Sequence, residues 1–376
     1  MRRLLLILLF WPLPVLAGAG EAGVGFGDYQ RTEFSPARGQ TFEIPVSVRQ
    51  DAAVEARILT SDGDPVRSLS SPGVWKPGTH HLVWDGKDDA GQVVPDEAYL
   101  PVIRATLPDG SVEIVDPRKH SGGEVVEDLN VRITASKDIA YTLPGPSRVM
   151  IRAGVKNGPM LRSLAEWAPR GAGQNIHRWD GHDQNGLVDL RREKDLTVLV
   201  TAFRLPEHAI LVFGNRALDY RAYRKEKGWP DRVVRREDMR LVREGKRISR
   251  HYYFPRSRDA IPVITLTLPK ELARSKAGLP VVNNGQAVLI RVDIPPADRW
   301  LMNESLYEVG FFLDQAFLAE EEQGYVPIGF LWRPKGLSPG THLLSVNISG
   351  FSGKVGVASL QFETPAGEPA GEQGTP

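Results

Sequence analysis

Residues 83–91 read Val-Trp-Asp-Gly-Lys-Asp-Asp-Ala-Gly, and residues 178–186 read Arg-Trp-Asp-Gly-His-Asp-Gln-Asn-Gly. The two strings close a gapless repeat in which residues 57–91 align with residues 152–186 at an offset of 95. Eleven of the 35 pairs are identical. They are Arg57/Arg152, Gly63/Gly158, the Arg-Ser-Leu runs at 67–69 and 162–164, Gly78/Gly173, and Trp84, Asp85, Gly86, Asp88 and Gly91 with Trp179, Asp180, Gly181, Asp183 and Gly186. Solenoid and propeller units run roughly 20–50 residues. A period of 95 fits one immunoglobulin-sized sandwich instead.

Working outward, Thr41 to Val48 and Val54 to Thr60 carry strand formers. Ser61-Asp62-Gly63-Asp64 supplies a hairpin turn, and Lys156-Asn157-Gly158 stands at the same point of the second copy. Glycine tolerates the positive φ that such turns need. Closing strands are expected near Tyr99 to Ala105 and Leu196 to Phe203.

The Arg-x-Leu strand, Gly-bearing loop, Trp-Asp-Gly-x-Asp-x-x-Gly string and closing strand together resemble the immunoglobulin-like domain of flagellar hook-capping proteins. The lead-in Ile139-Ala140-Tyr141-Thr142-Leu143-Pro144 with Ser147-Arg148-Val149 is similar to that family's entry strand. The resemblance implies a fold over 26–118 and 126–213, and a role much less, because such modules are reused as spacers and adaptors. The chain departs from that family in carrying an export signal and two copies of the module.

That signal spans 1–19: Arg2 and Arg3 precede an apolar core, Leu4 to Phe10, and a small-residue cleavage site. The apolar run is far shorter than the ~20 residues that span a bilayer. A secreted protein, periplasmic or on the cell surface, is expected. Cys is 0, so no disulfide framework or thiol nucleophile exists. A formal charge of +1 over 376 residues gives no global field for nucleic acid or an acidic membrane.

A third module is expected over 259–363. Val288, Ile290, Val292 and Ile294 alternate with Leu289, Arg291 and Asp293 as in a half-buried strand. Further strands are expected at 261–268, 307–313, 327–332, 343–348 and 355–362. Pro339-Gly340-Thr341-His342 repeats Pro77-Gly78-Thr79-His80 and resembles the penultimate strand of generic bacterial immunoglobulin-like domains. The tail 364–376, rich in Gly, Pro and Glu, is expected to be disordered. The fold class is thus all-β: three tandem immunoglobulin-like sandwiches with one insert.

The insert, 214–258, is basic and aromatic. From Gly214 to Asp259 it holds 15 Lys or Arg against 7 Asp or Glu, with Tyr220, Tyr223, Trp229, Tyr252, Tyr253 and Phe254. Arg236 to Arg247 is expected to form a short helix. Arg with Tyr and Trp is the composition of binding hot spots, so Arg235, Arg236, Arg240, Arg243, Tyr252, Tyr253 and Phe254 are the candidate partner-binding residues. The alternative is a linker whose aromatics pack on neighbouring modules.

The repeat strings read as structure. Trp84 and Trp179, each beside a turn, are expected to cap their cores. Asp85, Asp88, Asp180 and Asp183 lack the Asp-x-Asp-x-Asp-Gly spacing of a calcium loop, and short Asp side chains bonding their own backbone account for them. No metal or cofactor is expected. His80 and His81 point to opposite faces of a strand, and His177 with His182 has no ligand spacing. Glu320-Glu321-Glu322 reads as a solvated loop. No Gly-x-Ser-x-Gly elbow, His-Glu-x-x-His helix or phosphate loop occurs, so the chain is read as non-enzymatic. A scaffold or adaptor binding a protein of an envelope or extracellular assembly is the expectation. A carbohydrate-binding or adhesive protein contacting polysaccharide, and an accessory subunit of a secreted enzyme, are the alternatives.

Overall fold

The computed structural model describes residues 23–366 apart from 231–236, 238, 259–260, 297, 300–306, 323–324 and 351–353. The export signal expected over 1–19 lies outside the described residues, as do 367–376 of the expected tail.

The first unit comprises β1 (Val24–Phe26), β2 (Glu33–Phe34), β3 (Phe42–Val48), β4 (Ala52–Leu59), β5 (Pro65–Trp75), β6 (Gly78–Trp84), β7 (Glu97–Thr106) and β8 (Val112–Val115). Sheet β1-β3-β6 faces sheet β5-β4-β7-β8. Alternation decides which residues go inward: along β4, Ala52, Val54, Ala56 and Ile58 are buried and the residues between them are not. Tyr99 stands near the start of β7, and its hydroxyl donates to the Pro95 carbonyl at 3.0 Å. A tyrosine bonded back to its own chain at this corner is a mark of immunoglobulin-like sandwiches.

The second unit comprises β9 (Val125–Val126), β10 (Arg132–Ile133), β11 (Ile139–Leu143), β12 (Ser147–Val155), β13 (Met160–Arg170), β14 (Gly173–His177) and β15 (Leu196–Arg204). Sheet β10-β11-β14 faces sheet β13-β12-β15-β9. The repeat is structural: β5 and β13 cover the same eleven-residue span displaced by 95.

After β15 the chain does not stay in the second unit. The strand β16 (Ile210–Val212) pairs antiparallel with Glu97–Tyr99 of β7 and parallel with β2. Ile210 and Val212 enter the first core. The expectation that the second module runs from 126 to 213 is therefore corrected at its end: its own sheet stops at Arg204, and Ile210–Val212 complete a sheet of the first unit.

The insert continues on the first unit with α1 (Tyr220–Glu226). It then crosses to the second unit with a hairpin of β17 (Val242–Arg243) and β18 (Lys246–Arg247). This corrects the helix expected over Arg236 to Arg247. Glu244 and Gly245 hold φ of 49° and 76°, a tight hairpin turn that no right-handed helix accommodates.

The third unit comprises β19 (Thr265–Thr267), β20 (Val288–Asp293), β21 (Tyr307–Leu313), β22 (Ala316–Glu321), β23 (Ile328–Trp332), β24 (Gly340–Gly350) and β25 (Val355–Thr364). Sheet β19-β20-β23 faces sheet β22-β21-β24-β25. Here Glu320 and Glu321, expected in a loop, end an exposed strand, and Thr364, expected in the tail, ends β25. The short Pro-Gly-Thr-His echo is a shared local device. His80 and His342 each meet a carbonyl four residues back, Lys76 and Ser338, and each stacks on an aromatic, Trp75 and Phe362.

The second and third units meet through backbone mimicry. The Asn347 amide donates to the Met160 carbonyl at 2.7 Å, and its oxygen accepts the Met160 N–H at 2.8 Å. Asn185 accepts the Ser359 N–H at 2.7 Å. A Cβ on Gly158 would lie 2.8 Å from the Gln315 carbonyl, so glycine is needed there for a close approach. In that turn Asn157, with φ 58°, takes the left-handed position that Gly63 takes in the first copy.

Candidate functional site

The repeated Trp-Asp-Gly-x-Asp string builds a loop from its own backbone. Asp88 accepts the N–H groups of Ala90 and Gln92, and Asp183 those of Asn185, Leu187 and Val188. Gly86, Gly91, Gly181 and Gly186 all sit at φ between 73° and 83°. The repeated arginine ties the loop to the neighbouring strand. Arg67 donates to the Asp88 carbonyl at 3.1 Å, and Arg162 to the Asp183 carbonyl at 2.8 Å.

The two tryptophans differ. Trp84 is 0% exposed, lies edge-on to Phe34 and Tyr99, and donates to the Lys87 carbonyl. Trp179 is half-buried and donates to the Lys137 carbonyl across the sandwich. Phe42 pairs with Trp84; at the same offset of 95 the second copy has Lys137. An apolar lid on the first tryptophan is a charged residue beside the second.

Around these loops three basic residues of the insert, Arg224, Lys227 and Arg256, pair with acids of the first unit. Lys227 and the Tyr223 hydroxyl meet the free oxygen of Asp88 at 2.6 and 2.9 Å. Burial works against the charged form of Asp88, but hydrogen bonds from Lys227, the Gln92 N–H and Tyr223 outweigh it, and its pKa lies below the ordinary carboxylate value. Arg224 reaches Asp64 at 2.9 Å and Asp62 at 3.5 Å. Asp62 also accepts the N–H groups of Arg256 and Ser257 and the Tyr220 hydroxyl.

At the junction of the two copies stands Glu97, 1% exposed at the start of β7. Arg148 of β12 pairs with it at 2.7 Å and Arg256 of the insert at 3.0 Å. Arg148 also donates to the Ser61 hydroxyl and the Trp167 carbonyl. Burial would raise the Glu97 pKa; the charges of Arg148 and Arg256 and hydrogen bonds from Arg148 and the Ala98 N–H hold it low. One carboxylate thus joins the first copy, the second copy and the insert.

Of the candidate partner-binding residues, Arg235 and Arg236 lie outside the described residues. Arg243 donates to the Gly122 carbonyl and pairs with Glu124. Tyr252 packs on Gly123 and Phe203, and burial pushes its pKa up to about 12. The Tyr253 hydroxyl accepts the Arg240 N–H and donates to the Arg240 carbonyl, holding the hairpin to the following turn. Phe254 stays 38% exposed beside His251, and the Arg240 side chain is exposed. The described ones lie together, yet Arg243 and Tyr252 serve the docking of the insert and Tyr253 ties the insert to itself. Arg240, Phe254 and the hairpin's Leu241 and Val242, the last 62% exposed, face outward.

Reasoning from sequence missed Glu97, Asp62, Arg148, Arg224 and Arg256. The Asp96-Glu97 pair before an apolar strand carried the only signal, because the partners of Glu97 lie 51 and 159 positions further along the chain.

No family model and no curated protein matches the chain. Similar solved structures include FlgD from P. aeruginosa, 19% identical over 25% of this chain and 66% of that one, with a TM-score of 0.20. Fibronectin(III)-like modules of CbhA from Clostridium thermocellum are 11% identical over 91% and 94%, with a TM-score of 0.21. A bacterial ice-binding adhesin is 10% identical over 92% and 98%, with a TM-score of 0.18. Scores this low identify neither family nor role. Among the described residues no helix is long and apolar enough to cross a membrane.

Proposed function

We propose that this chain is a non-catalytic adaptor of an envelope or extracellular assembly, built to present a partner protein at a fixed angle. The observation that carries this reading is the buried Glu97 junction with Arg148 and Arg256. Tandem domains swivel by default unless their interface is extensive. A buried ion pair is a weak source of stability, but losing one partner leaves a buried charge, so the junction penalises every relative orientation except one. The export signal read at 1–19 supports an extracytoplasmic setting. The partner surface is the outward side of the insert: Arg240, Leu241, Val242 and Phe254. A sugar-stacking role is less favoured, since Trp75, Trp84, Trp167 and Trp332 are buried.

The test is a photo-crosslinking amino acid at Val242 or Phe254 in producing cells, followed by mass spectrometry. The adaptor reading expects a discrete protein adduct in the extracytoplasmic fraction from both positions. Retention in the cytoplasm, or adducts no different from those at exposed Val74 on the first unit, would contradict it.

A further inference from the structure

Each unit's four-stranded sheet needs a last strand beside its long penultimate one, and the three units meet that need differently. In the third, β25 pairs with β24 from Gly340 to Ser349. In the first, β8 covers Ile103–Thr106 of β7 and β16 covers Glu97–Tyr99. In the second, β9 covers only Ala202 and Phe203 of β15. The strand that follows β15 in the chain is β16, which has gone to the first unit. Among the described residues nothing pairs with the outer edge of β15 from Leu196 to Thr201.

Apart from the Leu196 N–H, which donates to the Glu193 carbonyl at 3.4 Å, the outward backbone groups of this stretch have no strand partner among the described residues. The Arg204 N–H donates to the Glu124 carbonyl and the Arg204 carbonyl accepts the Gly123 N–H, so Arg204 faces the outer edge. Strand alternation turns Ala202, Val200 and Val198 the same way. Side chains give the same picture. Matching β4–β7 to β12–β15 places Val200 where Ile103 stands and Leu196 where Tyr99 stands. Ile103 and Tyr99 are 0% exposed, whereas Leu196, Val198 and Val200 are only half-buried and Leu199 is 39% exposed. Exposed edges are ordinarily blunted by Lys, Pro, bulges or inward charges. Leu-Thr-Val-Leu-Val-Thr at 196–201 has none of these.

We infer that the outer edge of β15 is an acceptor for an extended strand of a partner polypeptide, added antiparallel, with apolar residues at alternate positions lying over Leu196, Val198 and Val200. The first copy shows that this fold accepts such a strand from outside the module: β16 adds to β7 and sends Ile210 and Val212, two residues apart, into the core. In strand addition, main-chain hydrogen bonds give affinity and alternate side chains give specificity. This goes beyond the adaptor reading, since the edge and the hairpin surface are different sites.

The probe is a synthetic peptide of residues 208–213, His-Ala-Ile-Leu-Val-Phe, carrying one cysteine at either end. Because the chain has no cysteine of its own, Thr197→Cys and Thr201→Cys each give a single attachment point. Antiparallel addition predicts that the N-terminal cysteine is trapped at Thr201→Cys at least tenfold faster than at Thr197→Cys, and that the C-terminal cysteine reverses the preference. Val200→Pro removes an N–H that faces the open edge and should abolish trapping with the fold retained; Leu199→Lys is the milder block. Trapping that is indifferent to peptide orientation, or that survives both blocks, overturns the inference. Disulfide dimers of Thr201→Cys chains forming in preference to the peptide adduct would overturn the partner and give the edge to a second copy. Crosslinking from Val242 is unaffected by Val200→Pro in either case, so the adaptor reading stands or falls separately.

Discussion

The two copies share eleven identities over 35 positions and one loop geometry, yet one sandwich is complete and the other is not. In the first, Trp84 lies under Phe34 and beside Tyr99, Asp88 is held by Lys227, and two strands line β7. In the second, Trp179 faces Lys137 and β15 has a two-residue neighbour. Repeated residues specify the loop and its tie to the adjacent strand. Closure of the sandwich depends on residues the repeat does not contain.

The largest expected effect separates the two tryptophans. Trp84→Ala should destabilise the first unit by about 3–5 kcal/mol, the usual range for a fully buried aromatic. Trp179→Ala should cost about 1–2 kcal/mol, since it loses one hydrogen bond and partial burial. A multi-unit chain need not unfold in two states, so the readout is residue-resolved hydrogen exchange in each unit. Equal losses would remove the difference between the copies.

Next is the junction. Glu97→Gln should cost about 2–3 kcal/mol near neutral pH, in line with hydrogen bonds to charged groups. The sign follows from its depressed pKa: the contribution is present above the ordinary glutamate value of about 4.3 and is lost as pH falls through the lower folded value. Wild type and Glu97→Gln should therefore converge in unfolding temperature in acid. A gap that stays constant from pH 7 to pH 3 would mean that charge is not what holds the junction.

Smaller and more local effects distinguish the shared glycines. Gly63→Ala, at φ 89°, should destabilise the first unit by about 1–2 kcal/mol through backbone strain. Gly158→Ala should cost about the same through crowding of the Gln315 carbonyl. Small-angle scattering then discriminates: only Gly158→Ala should lengthen the particle by loosening the third unit. The smallest effect is at His342, whose pKa burial lowers but the Asp314 hydrogen bond, the Ser338 carbonyl and the Asp314 charge raise overall. Its stabilisation is present below the ordinary histidine value of about 6.5 and is lost as pH rises through the raised value. His342→Gln should thus cost under about 1 kcal/mol at pH 5.5 and less at pH 9, measured by denaturant titration.

Local features were legible in the sequence. The offset of 95 placed β4, β5 and β6 on β12, β13 and β14, and the alternation at 288–294 marked β20. Pro-Gly-Thr-His was legible as the lead into a strand, at β6 and β24; the histidine–carbonyl contact the two copies share was not. What stayed hidden was long-range: the 3-residue β16 looks like the end of the second copy and belongs to a sheet of the first. The charge of the insert was legible as a sum. The pairing of Arg224, Lys227, Arg243 and Arg256 with Asp62, Asp64, Asp88, Glu97 and Glu124 depends on which loops fold together, which composition does not encode. Aromatics of the insert packing on a neighbouring module was one of two readings its composition left open, and Tyr252 against Phe203 fits it; which of its residues stay exposed, such as Arg240 and Phe254, was not legible.

The central claim is that the second copy has given its last strand to the first and kept an open edge. Amide hydrogen exchange at matched positions tests it most directly. Ile103 of β7 and Val200 of β15 occupy the same place in their sandwiches, with Ile103 paired to Val115 and Val200 facing the open edge. The account predicts a Val200 amide that exchanges at least a hundredfold faster than that of Ile103, with the Leu211 amide, which donates to the Thr32 carbonyl in the first unit, protected. A Val200 amide as slow as that of Ile103, or an unprotected Leu211, would contradict it.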